Sequence, residues 1–173
     1  MFLFKSSRFG RRVTSALLVL CIAFVAMSFS GCKPPTDTGS VPEVSSLDLL
    51  KGTWNGSFTG ESYTITETTF DSAGSYAGDN LTVSEVDEKS GYIYIKFTRA
   101  ANADWTYSET APDVGKWYCV AYKNLSENSV SLSGAYNAAG KSACDTLDEA
   151  KKEFTIENGY FSGYSECVKK QAE

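Results

Sequence analysis

From about residue 48 onward, apolar and polar residues alternate in short runs. "GYIYIKFT" over 91–98 sets Ile93, Ile95 and Phe97 on one face and Tyr92, Tyr94 and Lys96 on the other. In "SVSLSGAY" over 129–136, Val130, Leu132 and Tyr136 oppose Ser129, Ser131 and Ser133. "YTITETTF" over 63–70 alternates from Tyr63 and Ile65 into threonines, and "LTVSEV" over 81–86 opens with Leu81 and Val83 on one face. A period of two is the signature of half-buried strands. "KWYCVAYK" over 116–123 is apolar through its middle, which predicts a strand covered on both faces.

Turn signals separate these runs. Residues 87–91 join the strand near 80–86 to the next, and 123–128 join 116–122 to 129–136. Asn158-Gly159 between "KEFTIE" and "YFSGYS" predicts a tight hairpin, because a type I′ turn needs positive φ at both central positions. One short helix is expected over Thr146–Lys152, with Asp145 or Thr146 as its cap and acids in its first turn. The expected fold class is therefore all-β. It is a single antiparallel barrel of eight or nine strands, with one short helix before a C-terminal hairpin. So many strands in one short domain must close or stack, since open edges invite aggregation.

The first twelve residues carry Lys5, Arg8, Arg11 and Arg12 and no acid, and an unbroken apolar run follows from Ala16 to Met27. A spanning helix needs about 20 such residues. A basic start, a short apolar core and small residues at its end are the secretory pattern. Ser30-Gly31-Cys32 closes it, and the Cys32 thiol is the lipidation candidate. The stretch resembles a bacterial lipoprotein signal, with Phe29 where the usual motif has Leu, as in the looser signals of spirochaetes. The resemblance implies loss of residues 1–31, acylation of Cys32 and stable anchoring by two acyl chains. An uncleaved signal anchor with Cys32 idle is the competing reading. Lys33 stands where many enterobacterial inner-membrane lipoproteins have Asp, so the analogy points to the outer membrane. Residues 32–47, "CKPPTDTGSVPEVSSL", hold three of the four prolines and read as a flexible tether ahead of a domain over 48–173.

Loss of 1–31 removes four basic residues and no acid. The balance of 16 Lys+Arg to 21 Asp+Glu becomes 12 to 21, a net charge of −9. That argues against nucleic acid and against electrostatic binding to anionic lipid. The membrane is then a partner through the lipid anchor alone.

"LKGTWNGSF" over 50–58 is similar to the first strand of lipocalin-like barrels, whose mark is Gly-x-Trp, here Gly52 and Trp54. The resemblance implies that Trp54 packs across the closed end, often against a basic residue of the last strand. Near its end this chain has Lys169 and Lys170 and no Arg. With "GKWYCVAYKNL" and "KEFTIENGYF", the chain also resembles small treponemal lipoproteins, a resemblance that bears on location and fold only.

The chain has no histidine, which removes the commonest general base and the usual zinc ligand. No phosphate-binding glycine loop and no C-x-x-C occurs. No catalytic residue, metal site or cofactor is expected, and an enzyme ranks last. Asp71 and Asp79 flank a glycine-rich stretch better read as a turn than as a calcium loop. Cys119, Cys144 and Cys167 remain in the domain. A Cys144–Cys167 disulfide would staple the helix and last strand, adding about 3 kcal/mol in the loop-entropy picture. A pair using Cys119, or three free thiols, are the alternatives. Arg99–Gly115 is a long connection without periodicity that carries Trp105 and Tyr107. Long connections in compact domains are often functional. Trp105 and Tyr107 are thus the candidate ligand-binding residues; the competing reading is that Trp105 plugs one barrel end. Two functions stay open: a cup for a small, partly apolar ligand, or a filled barrel whose surface meets a macromolecule.

Overall fold

The computed structural model describes residues 44–171. The proposed signal and Cys32 lie outside the described residues. Helix α1, Ser46–Leu50, is capped by Ser45, whose hydroxyl accepts the Asp48 N–H at 3.1 Å. Nine strands follow: β1 Gly52–Asn55, β2 Ser62–Ile65, β3 Phe70–Ser72, β4 Ala77–Asp87, β5 Ser90–Ala101, β6 Tyr107–Ser108, β7 Trp117–Lys123, β8 Ser129–Gly134 and β9 Ser165–Lys169. Helix α2, Leu147–Glu153, lies between β8 and β9.

All pairings are antiparallel, and the order β4-β3-β2-β1-β9-β8-β7-β5 is closed by a β4–β5 pairing. The result is a closed eight-stranded barrel, with the ninth strand, β6, paired to the far end of β5. Expected strand count, antiparallel order and helix all hold. Ile93 and Ile95 point inward with Val120, Tyr122, Val130 and Leu132, as their alternation required.

An eight-stranded barrel is just wide enough for side chains to fill. Trp54, Ile65, Phe70, Ile93 and Ile95 show at most 1 % exposure and fill most of this one. Each such side chain contributes about 1.5–3 kcal/mol by leaving water. Trp54 closes the end beneath α1. Its indole N–H donates to the Leu50 carbonyl at 2.7 Å, and Lys169 Nζ stands 4.9 Å from its ring centroid. Lys169 Nζ also donates to the Leu49 carbonyl at 2.8 Å, so it binds helix, ring and last strand together. Gly52 makes this possible: its φ is +131°, and a Cβ there would meet Lys169 Cε at 2.7 Å. Lysine fills the basic position that the barrel resemblance implied.

A second layer covers one flank. Ala150, Phe154, Tyr160 and Phe161 of α2 and the following segment bury Tyr94, Cys119 and Ala121 on the outer face of β5 and β7. Both faces of "KWYCVAYK" are thus covered, as expected.

Three local expectations change. "KEFTIE" forms no strand: Lys152 and Glu153 end α2, and the Asn158-Gly159 turn leads through an irregular segment to β9 alone. The Asn158 amide donates to the Lys152 and Glu153 carbonyls, spending the turn on the helix end rather than on a hairpin. "YTITETTF" breaks at Thr66–Thr69, where the two hydroxyls bond at 2.7 Å and the chain reverses into β3. Finally, Cys119, Cys144 and Cys167 are free buried thiols, so the Cys144–Cys167 bridge is not formed. The sheet separates the pair: Cys167 packs in the barrel interior and Cys144 in the outer cluster.

Trp54→Ala should lower the unfolding free energy by about 3–5 kcal/mol through the cavity it leaves. Lys169→Met should cost about 1.5–3 kcal/mol through the lost charged hydrogen bond. Urea unfolding measures both; a loss below about 1 kcal/mol for Trp54→Ala would show that the closed end does not depend on this plug.

Candidate functional site

The end of the barrel opposite α1 carries the connections 56–61, 73–76 and 102–106 and the segment 135–143. A cavity of about 470 Å³ opens there. Its floor is aromatic. Phe97 and Tyr118 stack with centroids 4.7 Å apart, and Tyr76 meets Tyr118 edge-on at 5.0 Å. Gly134 leaves room for this floor, since a Cβ there would meet the Tyr118 hydroxyl at 2.6 Å and the Tyr76 hydroxyl at 3.1 Å. Burial drives the Tyr76 and Tyr118 phenols well above their ordinary pKa, so both stay protonated, and the Tyr118 hydroxyl donates to the Ala135 carbonyl at 3.1 Å.

One wall is the β5–β6 hairpin. Arg99–Gly115 is therefore not a long unstructured connection: β5 continues to Ala101 and pairs Ala101 with Tyr107. Asn102 N–H donates to the Thr106 carbonyl at 2.7 Å, and the Asp104 carboxylate accepts the Thr106 hydroxyl at 2.6 Å. This turn holds Trp105 at a φ of +63°, a costly conformation for a bulky residue. Trp105 is nevertheless 70 % exposed. Trp105 and Tyr107 both line the cavity.

The facing wall is the segment Tyr136–Ser142, fixed from behind by the α2 layer. Tyr136 N–H donates to the Tyr160 carbonyl at 2.9 Å, and the Asn137 amide to the Asn158 carbonyl at 2.9 Å. Lys141 N–H donates to the Tyr160 hydroxyl at 2.6 Å, and that hydroxyl donates to Glu153. Burial pushes the Tyr160 phenol up to about 12. Between the walls, both Asp113 oxygens are engaged: Lys116 Nζ lies 2.9 Å from one and Ser142 Oγ 2.6 Å from the other. Burial alone would raise Asp113; these two bonds outweigh it and hold the carboxyl below its ordinary range.

Glu61 covers the same barrel end above β1, β2 and β9. It accepts hydrogen bonds from Tyr63, Ser165 and the Phe58 N–H. Burial would raise its carboxyl, and these donors together bring it below the ordinary value. Asp71 pairs with Arg99 at 3.0 Å, and among the described residues no group of three or more acids, cysteines or histidines is placed to hold a metal ion. A second concavity of about 590 Å³ lies beside residues 44–46 and the β4–β5 turn, and its wall of Glu85, Asp87 and Glu88 has no aromatic.

Sequence reasoning placed Trp105 and Tyr107, which the structure brings together on one wall. Tyr76, Tyr118 and Tyr136 were missed as cavity residues. Tyr118 had no separate signal within an apolar strand, and Tyr136 leaves the strand predicted for it at Gly134. Compared with protein-family profiles, with curated proteins and with solved structures, the chain matches none.

Glu61→Gln should flatten stability against acid. A carboxyl with a lowered folded pKa stabilises fully above its unfolded value, and that contribution is lost as pH falls through the folded value. Urea midpoints taken from about pH 5 down to about pH 2 should fall less in Glu61→Gln than in the parent chain. Parallel curves would remove Glu61 from the acid response.

Proposed function

We propose that the protein is an exported, lipid-anchored barrel that holds a small, partly apolar ligand at its open end. The observation that carries this reading is the cavity of about 470 Å³ in which Trp105 and Tyr107 face an aromatic floor. Ligand sites typically measure about 300–1,000 Å³ and combine apolar walls with a few polar groups. The exposed, conformationally strained Trp105 supports it further, since strain of this kind gathers at binding sites. The chain enters the barrel at α1. We place the protein in the cell envelope, at the outer membrane.

A second reading is a surface lipoprotein that contacts a macromolecule. The filled interior and the exposed Phe58, Trp105 and Tyr136 favour it. Tryptophan emission separates the two. Titration with hydrophobic candidates should give a saturable quench or blue shift that disappears in Trp105→Phe, while the buried Trp54 contributes little change. Emission that never saturates favours the macromolecular reading.

The anchor has its own test. Cys32→Ala should abolish both labelling by a fatty-acid analogue and partition into detergent. Labelling that persists in the variant contradicts lipidation at Cys32.

A further inference from the structure

The cavity's shape restricts what it can hold, and this step rests on the binding reading above. Beneath Tyr76 the interior is solid. Phe70 lies parallel to Tyr76 with centroids 5.8 Å apart, and Tyr63 packs on Phe70 at 5.8 Å. A long acyl chain needs a deep apolar channel to leave water, and the packed rings provide no such channel below the floor. What lines the mouth is aromatic: Trp105 and Tyr107 on the hairpin wall, Tyr136 on the wall opposite, Phe97 and Tyr118 below. Flat rings make large contacts with such side chains at little entropic cost, by offset or edge-on stacking.

Charge adds a second restriction. Each Asp113 oxygen already has a partner, Ser142 on one and Lys116 on the other, and the Lys116 ammonium offsets its charge. Lys141 also lines the cavity and, among the described residues, enters no ion pair. Its backbone is held by the Tyr160 hydroxyl at 2.6 Å, so this cation has a fixed origin on the wall. The Tyr118 hydroxyl donates to the Ala135 carbonyl at 3.1 Å, and burial keeps the Tyr76 and Tyr118 phenols neutral, so neither competes as an anion.

We propose that the ligand is a planar ring compound bearing an anionic group, its ring between the aromatic walls and its anion against Lys141. The full chain is titrated with 1-pyrenebutyrate, with the uncharged 1-pyrenebutanol and with palmitate, using pyrene anisotropy for the first two and competition for the third. Pyrenebutyrate should bind about tenfold or more tightly than pyrenebutanol, the effect of one charge-assisted contact. Lys141→Met should remove that preference and leave pyrenebutanol unchanged, while Trp105→Ala should weaken both. Equal affinity for the two pyrenes, or a preference that survives Lys141→Met, overturns the proposal. Palmitate binding without either pyrene overturns it too but leaves the binding cup standing. Failure of all three probes removes the cup along with it.

Discussion

Barrel closure through eight strands sets the limit on everything else in this molecule. A ring of this size has room for one layer of side chains and little more. Gly52, Trp54 and Lys169 then fix the lower end, because the lysine can cross the glycine only where no Cβ stands. With that end plugged and the middle packed by Ile65, Phe70, Ile93 and Ile95, the aromatic-lined cavity opens at the other end. The position of the cavity thus follows from the plugged end and the packed middle.

The outer layer has a matching role. A cavity wall made of irregular chain would be mobile if only its ends were tied. Here Tyr160, Asn158 and Glu153 hold the segment Tyr136–Lys141 from behind. The same layer buries the outer faces of β5 and β7, so packing that stabilises the barrel also shapes its mouth. Gly140 fits this arrangement, since a Cβ there would stand 2.1 Å from the Tyr160 hydroxyl.

Strand faces were the most legible feature of the sequence. Ile93, Ile95 and Phe97 declared an inner face by alternation alone, and the uninterrupted apolar centre of "KWYCVAYK" declared cover on both sides. Of the two candidate caps, Asp145 and Thr146, the threonine serves α2, and its hydroxyl accepts the Glu149 N–H at 3.2 Å. Asn158-Gly159 misled because its local turn preference is real, yet the Asn158 amide finds its partners on the helix end instead of across a strand pair. The cysteine pairing failed for a different reason. Sequence spacing does not report which side of a sheet a thiol occupies, and Cys144 and Cys167 lie on opposite sides. At the site, Trp105 and Tyr107 stood out because they interrupt an otherwise polar connection. Tyr76 and Tyr118 did not, since a cavity floor made of core residues looks like core until the barrel closes.

In the proposed function, the mouth of a filled barrel holds one small molecule. Native mass spectrometry of the protein extracted gently from its own cells tests this most directly. The expected spectrum shows a population carrying one small-molecule mass increment, lost on denaturation and absent when Trp105 and Tyr107 are both replaced by alanine. Folded protein that shows only its own mass, in the parent chain as in the double variant, would contradict it.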